Sequence, residues 1–212
     1  MAMTEHDQRD LWIANYGDTP VPPPRTSTFV TTCLARLGPH SRILELGCGG
    51  GTDAEAFAGA GHEVVATDFV PAVIAGNRER LGHLPNLTFA IMRIDQPYPY
   101  GDATFDAVYA HLTLHYFDHD ITTSIVAEIH RVLKPGGWLL FACKSPDDPS
   151  FGKGIEIEPD MFDFHGKVRH FFSEKYAQHL LTKCFTDVEI QTHRGKLYRQ
   201  RAGWITVAAR AA

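Results

Sequence analysis

The sequence predicts an α/β fold, with a doubly wound, mostly parallel β-sheet that ends in an antiparallel strand. Three observations predict it. Short buried-strand patterns alternate with helix patterns from residue 42 to residue 143, as in parallel sheets covered on both faces. A glycine-rich turn joins the first of these strands to the next helix. Two further strand patterns close the chain as a pair.

The elements follow one another in a regular order. Apolar residues between Phe29 and Leu37 recur on one helical face, and Gly38-Pro39 ends that helix. The pattern then predicts strand 42–46, helix 52–60, strand 63–67, helix 71–81, strand 87–92 and strand 105–110. We expect Thr52 or Asp53 near the start of the second helix.

The second half begins with a strongly periodic helix, opened by Asp118 or Asp120 and stopped by Lys134-Pro135-Gly136-Gly137. Strand 138–143, helix 173–182 with Ser173 as its cap, strand 188–192 and strand 204–209 complete the predicted order. Segment 144–172 has no clear period, and such a long segment is typically functional, so we predict a lid-like insertion. Residues 1–24 are predicted to be an irregular N-terminal cover, and residues 25–212 a single domain.

The composition is that of a globular domain. Of the 212 residues, 44% are hydrophobic and 21% charged, which excludes a disordered or fibrous chain. The net charge of −5 argues against a nucleic-acid partner. Four scattered cysteines form no C-x-x-C pair, which fits reduced thiols. A polar start without a long apolar run predicts a cytoplasmic protein with no membrane partner.

The sharpest motif is Glu45-Leu46-Gly47-Cys48-Gly49-Gly50-Gly51-Thr52, which follows a strand and opens a helix. Glycines at such a turn let the backbone approach a ligand closely. A dinucleotide fingerprint starting at Gly47 would need glycine where Thr52 stands. The carboxylate of Glu45 would repel a diphosphate, whereas it would favour a ligand that carries an ammonium and a sulfonium.

This motif, Glu45-x-Gly47-x-Gly49-x-Gly51, resembles motif I of the class I S-adenosylmethionine-dependent methyltransferases. The resemblance extends over residues 42–143, where Phe105-Asp106-Ala107-Val108 is similar to motif IV. It implies a Rossmann-like sheet of seven strands. Within the family, the chain resembles the enzymes that act on small molecules and have a methyltransferase-11/12/25-like domain. The resemblance also implies S-adenosylmethionine as co-substrate.

The resemblance further implies a set of cofactor-binding residues. Asp68 matches the acid that binds the ribose hydroxyls, although it could also cap the next helix. Phe69 matches an apolar residue against adenine, and Asp95 matches the acid that accepts from the adenine amino group, with a turn acid as the alternative. The predicted set is Tyr16, Glu45, Gly47, Cys48, Gly49, Gly51, Asp68, Phe69, Asp95, Gln96 and His111.

The methyl acceptor is expected beside the segment that follows the fourth strand. His115 is the leading candidate for a general base because the unperturbed pKa of histidine lies near neutrality; a structural histidine is the alternative. Tyr116 could shape the pocket or donate a hydrogen bond. The aromatic and cationic residues of the lid-like insertion could recognise an anionic or aromatic substrate. The predicted substrate-binding residues are Tyr16, His115, His165, Arg169 and His170.

No metal is predicted. His111, His115 and His119 are spaced by four, but the segment begins as a strand and no cysteine or acid completes a ligand pattern. The predicted function is methyl transfer to an O, N or S nucleophile of a small molecule. A non-catalytic S-adenosylmethionine-binding scaffold or regulator is the alternative, and a nicotinamide dehydrogenase is disfavoured by Glu45 and Thr52. The sequence makes no prediction about oligomeric state.

Overall fold

The computed structural model describes residues 10, 12–14, 27–197 and 200–212. Residues 10 and 12–14 are helical, so the prediction of an irregular segment is wrong for these residues. The helices that follow are α1 (Thr28–Leu34), α2 (Thr52–Gly59), α3 (Pro71–Leu81), α4 (His119–Val132) and α5 (Glu174–Leu181). The strands of the described part are β1 (Arg42–Leu46), β2 (Glu63–Asp68), β3 (Leu87–Ile91), β4 (Phe105–His111), β5 (Leu133–Lys144), β6 (Ile155–Glu158), β7 (Met161–Phe164), β8 (Lys167–His170), β9 (Phe185–Leu197) and β10 (Gln200–Ala211).

Seven strands form the central sheet, in the order β3-β2-β1-β4-β5-β10-β9. Strands β1 to β5 pair in parallel, and β10 lies antiparallel to both of its neighbours. This confirms the predicted α/β fold with an antiparallel last strand. The strand order reverses at β1, which has β2 on one side and β4 on the other, so the carboxyl ends of β1 and β4 flank the crevice where such sheets bind ligands.

Both faces of the sheet are covered by apolar clusters. Neighbouring residues of one strand contribute to opposite faces, because their side chains alternate in direction. In β1, Leu44 packs into the cluster that includes Ile129 of α4, whereas Ile43 packs into the cluster that includes Phe57 of α2. The two apolar layers hold the carboxyl ends of the central strands in a fixed arrangement. In the described part, none of the helices is long and apolar enough to cross a bilayer.

Side-chain caps fix several helix starts. Asp118 accepts a hydrogen bond from the backbone N–H of Ile121 at 2.8 Å, and Ser173 accepts one from Tyr176 at 3.1 Å, as the sequence predicts. Helix α2 begins at Thr52, with Asp53 in its first turn, as the sequence predicts. Its N-cap is Gly51 in the left-handed conformation, so no side chain caps this helix, and the carboxylate of Asp53 has other partners, described below.

The segment predicted to be a lid-like insertion contains a small antiparallel sheet in the order β6-β7-β8. The rings of Phe151, Phe162 and Phe171 pack together, with centroids 5.3 to 6.1 Å apart. The chain then returns to the main sheet, where the N–H of Phe172 donates to the carbonyl of Lys144 at 2.8 Å. The small sheet is thereby anchored at the carboxyl end of β5.

The final hairpin is longer than the sequence pattern predicts. Strands β9 and β10 have 13 and 12 residues. Arg194, Lys196 and Arg201 of the basic run lie near the end of the hairpin where Leu197 pairs with Gln200.

Candidate active site

The turn between β1 and α2 exposes backbone where the sheet changes direction. Gly47, Gly49 and Gly51 have φ values of +71°, +48° and +70°. A Cβ atom on Gly47 would lie 2.6 Å from the side chain of Thr113, and one on Gly51 would lie 3.1 Å from that of Asn77. Backbone conformation and close packing therefore both require glycine at these two positions. At Gly49 nothing lies within 4 Å of the position that a Cβ would occupy, so a ligand can approach the backbone there.

Glu45 lies in β1 immediately before this turn, with a residue exposure of only 3%. Within the described structure, its Oε2 atom has no hydrogen-bond partner. Burial raises the pKa of Glu45 well above its usual range, and the charges of Asp53 and Asp68 raise it further. A buried, unsatisfied carboxyl group is costly, so its position favours a ligand with a cationic or hydrogen-bond-donating group.

Asp68 ends β2 and holds the glycine turn. Its Oδ2 accepts the N–H of Gly49 at 3.1 Å, and its Oδ1 accepts the N–H of Val70 at 3.0 Å. Burial raises its pKa, and these backbone hydrogen bonds oppose that rise. A carboxylate offers about four acceptor positions, so Asp68 has capacity left for a diol.

Asp95, which follows β3, forms an ion pair with an arginine. The guanidinium of Arg93 contacts both oxygens of Asp95, with 3.0 Å between Nε and Oδ1. The charge of Asp95 is therefore compensated within the protein. Of its predicted neighbours in the cofactor set, Gln96 is exposed and Phe69 is half-buried.

A buried carboxylate that sequence reasoning missed lies behind the turn. Oδ2 of Asp53 accepts the hydroxyl of Tyr109 at 2.7 Å and lies 3.2 Å from Nδ1 of His111. Its Oδ1 accepts the N–H of Ser27 at 3.1 Å. Burial alone would raise the pKa of Asp53, but the interaction with His111 and the hydrogen bonds from Tyr109 and Ser27 outweigh burial and lower it. The only sign of this role in the sequence is that Asp53 is an acidic residue in the first helical turn after the glycine turn.

His115 lies in the 3₁₀ turn Leu114–Tyr116 that follows β4, and it is 1% exposed. Its Nδ1 accepts the backbone N–H of Lys144 at 3.4 Å, a long hydrogen bond. Burial lowers its pKa well below the usual range, and the positive charges of Arg169 and Lys144 lower it further. The ring is therefore neutral, and with Nδ1 as the acceptor its proton is on Nε2.

Tyr116 links three segments. The guanidinium carbon of Arg169, in β8, lies 5.9 Å from the centre of the Tyr116 ring. The ring of Trp12 meets Tyr116 edge-on at 5.1 Å. Burial raises the pKa of Tyr116, while the charge and hydrogen bond of Arg169 oppose that rise. The 3₁₀ turn, the small sheet and the described part of the N-terminal segment therefore meet at this ring.

The predicted residues of the insertion do not all lie together. His170 follows Arg169 and is buried against Tyr176, with ring centroids 4.5 Å apart. His165 is exposed at the turn between β7 and β8, against Phe164, and lies at the other end of that hairpin from Arg169. Tyr16 lies outside the described residues.

The three evenly spaced histidines have separate partners. His111 pairs with Asp53, His115 accepts from Lys144, and His119 contacts the hydroxyl of Tyr176 at 3.3 Å. Among the residues that the structure describes, no group of three or more His, Cys, Asp or Glu side chains is placed to hold a metal ion.

Comparisons with known proteins identify the family to which the chain is similar. The model of a family described as "Methyltransferase domain" matches residues 44–141. The demethylmenaquinone methyltransferase of Streptomyces griseus is 30% identical over 174 residues, which cover 81% of this chain and 72% of that protein. An uncharacterized methyltransferase of Synechocystis is 32% identical over 114 residues, 54% of this chain and 51% of that protein, so the chain spans about half of that relative's length.

A solved structure shows the same fold. The 1,6-didemethyltoxoflavin-N1-methyltransferase of Burkholderia thailandensis, with bound S-adenosylhomocysteine, superimposes with a TM-score of 0.77. The alignment covers 100% of this chain and 92% of that one, at 23% identity. The motif at β1, the strand order and these relatives agree, and the chain belongs to the class I S-adenosylmethionine-dependent methyltransferase family.

Proposed function

We propose that this protein transfers a methyl group from S-adenosylmethionine to an O, N or S nucleophile of a small molecule. The observation that carries the proposal is the buried carboxyl group of Glu45 beside the glycine turn, whose Oε2 atom has no hydrogen-bond partner among the described residues. Such a group is suited to a ligand that is both an amino acid and a cation. Asp68, at the end of the adjacent strand, adds an acceptor for a ribose diol.

The residues present fit the co-substrate. Glu45 would face its cationic amino-acid part, the backbone of Gly47, Gly49 and Gly51 would lie against it, and Asp68 would accept from the ribose. Phe69, Asp95 and Gln96 would border the adenine. Cys48, His111 and Tyr16 complete the proposed cofactor set.

When bound, S-adenosylmethionine supplies an electrophilic methyl group on a sulfonium. The protein must therefore hold the nucleophile in line with that methyl group and exclude water. We assign this task to the side of the crevice formed by His115, Tyr116 and the small sheet, which lies beyond the carboxyl ends of β4 and β5. Arg169 and His170 belong to the proposed acceptor side.

The geometry of His115 favours one of two roles. A general base would need a free ring nitrogen, but Nδ1 already accepts from Lys144. The neutral ring then offers Nε2–H, which is a donor. We therefore propose that His115 orients an acceptor oxygen or nitrogen by hydrogen bonding, and that proton abstraction is not its main contribution.

We also propose that the insertion at residues 144–172 and the N-terminal segment at residues 1–24 cover the acceptor. The contact between Trp12 and Tyr116 supports this proposal for the N-terminal segment. The packing of β8 against the 3₁₀ turn supports it for the insertion.

Calorimetry with S-adenosylmethionine and S-adenosylhomocysteine tests the proposal, followed by release of S-adenosylhomocysteine across a panel of small nucleophiles. Binding of both ligands with turnover of a nucleophile is the expected result. Lack of binding at millimolar ligand would contradict it. Binding without turnover of any panel member would instead favour a scaffold or regulator.

A further inference from the structure

We infer that the methyl acceptor is an anion whose carboxylate is recognised by Arg169. This inference deepens the proposed function and rests on it. It starts from an uncompensated charge on the acceptor side of the crevice.

Arg169 is a half-buried cation that has no acidic partner in the part of the chain that the structure describes. Arg93, Arg131 and Lys144 each pair with a carboxylate. Arg169 forms no salt bridge with any described residue. Its Nε atom is buried and has no hydrogen-bond partner within that part of the chain.

The polar groups around Arg169 do not neutralise it. Tyr116 accepts a hydrogen bond from it and presents its ring, but a phenol carries no charge at neutral pH. His115 is neutral and buried. The nearby ammonium of Lys144 is already paired with Asp148 at 2.6 Å. The local balance of charge is therefore positive.

Two acids lie near His170, the residue that follows Arg169. Glu158 and Asp160 act on His170, which follows Arg169 in β8. The Oε2 atom of Glu158 accepts the backbone N–H of His119 at 3.2 Å, and neither acid pairs with the guanidinium. The anion that would balance Arg169 is therefore absent from the described protein.

The position of this charge connects it to the acceptor. Strand β8 packs on the 3₁₀ turn that carries His115 and Tyr116. Removing a guanidinium from water is costly unless an anion compensates it. A carboxylate suits the planar fork of donors on arginine better than a neutral amide does, because the hydrogen bonds are then charge-assisted. The structure thus assigns to Arg169 the recognition of a carboxylate on the acceptor.

Matched acid and amide pairs test the inference on the full chain saturated with S-adenosylhomocysteine. Suitable probes are salicylate with salicylamide, anthranilate with anthranilamide, and glycolate with glycolamide. We expect at least one acid to bind about tenfold or more tightly than its amide, a ratio typical of a charge-assisted hydrogen bond. In Arg169→Gln this preference should disappear, and Arg169→Lys should retain part of it.

Lys167→Gln is the matched control, because it removes the same charge from an exposed position of the same strand and should leave the acid preference unchanged. If no acid binds better than its amide, or if Arg169→Gln keeps the preference, the inference is wrong. The dissociation constant of S-adenosylhomocysteine, measured first, separates the two proposals. Loss of that binding in the wild-type chain would contradict the proposed function, whereas normal binding without acid preference would contradict this inference alone. If Arg169→Gln does not fold, the acid-to-amide affinity ratios of the wild type and of Arg169→Lys decide whether the inference holds.

Discussion

Oδ2 of Asp53 lies 3.2 Å from Nδ1 of His111 and joins the first turn of α2 to the end of β4. The same carboxylate accepts hydrogen bonds from Tyr109 and from the backbone of Ser27. Three segments that are distant in the sequence therefore meet on one buried acid. This arrangement fixes the side of the crevice opposite Asp68 and places His111 beside the glycine turn.

Replacement of Asp53 by Ala should destabilise the protein by about 1–3 kcal/mol, because buried donors would lose their acceptor. The difference from the wild type should depend on pH. The folded-state pKa of Asp53 lies below its ordinary value near 3.8, so its contribution is fully present above that pH and is lost as the pH falls through the lower folded-state pKa. Urea unfolding at several pH values measures this. Glu63→Ala, at an exposed site, is the control, and an equal loss there would remove the special role of Asp53.

Glu45→Gln should weaken binding of S-adenosylmethionine by about 1.5–3 kcal/mol, the range for hydrogen bonds to charged groups. Because burial raises the pKa of Glu45, we expect the wild-type chain to release a proton when it binds a cationic ligand. Calorimetry in two buffers with different ionisation enthalpies should therefore give different binding heats for the wild type. A buffer-independent heat in the wild type, or equal affinity in Glu45→Gln, would contradict this role.

The unliganded Glu45→Gln variant should be at least as stable as the wild type at pH 7. An acid with a raised folded-state pKa stabilises the fold below its unfolded pKa, and that contribution is lost as the pH rises through the folded pKa. Thermal unfolding at pH 5 and pH 8 should show that the stability of the variant, relative to that of the wild type, is greater at the higher pH. A variant that loses stability with rising pH relative to the wild type would show that Glu45 is ionised and satisfied without ligand.

Asp68→Ala should weaken S-adenosylhomocysteine binding by about 1.5–3 kcal/mol, through loss of the ribose acceptor and of the hydrogen bond to Gly49. Asp120→Ala, which removes an exposed acid from α4, should leave the dissociation constant unchanged. Calorimetric titration of both variants makes the comparison. Wild-type affinity in Asp68→Ala would place Asp68 outside the cofactor site.

The low pKa of His115 predicts that the methyl-transfer rate shows no limb from this residue near neutrality. Protonation of His115, and with it any loss of rate, should occur well below pH 6.5. In His115→Asn, kcat should fall about tenfold with the shape of the pH profile unchanged, because one orienting hydrogen bond is lost. A limb near neutrality that disappears in His115→Asn would instead identify His115 as a general base.

The sequence predicts the central sheet well, because its buried strands are short apolar runs and turn residues or proline mark where the helices begin. Helix α3 occupies the predicted residues 71–81, and β1 the predicted residues 42–46. The small sheet is not predictable in this way, since β6, β7 and β8 have only four residues each and mixed exposure. The rings of Phe151, Phe162 and Phe171 also meet across up to 20 positions of the sequence, which a local pattern does not show.

The glycine turn follows from a local motif, whereas other parts of the candidate site depend on long-range contacts. Asp53 meets the hydroxyl of Tyr109 from 56 positions away in the sequence, so its burial could not be inferred from its neighbours. The unmatched charge of Arg169 likewise emerges only when β8 packs against the turn after β4. His165 is a different case. The aromatic and cationic residues around it suggest the acceptor site, but the hairpin places His165 at an exposed turn.

A crystal structure of the complex with S-adenosylhomocysteine tests the central claim most directly. We predict that the ammonium group of the ligand lies within hydrogen-bond distance of Glu45 and that its ribose hydroxyls donate to Asp68. The sulfur should then face the side of the crevice that carries His115 and Tyr116. A ligand bound away from Glu45 and Asp68, or one whose sulfur faces away from that side, would contradict the account.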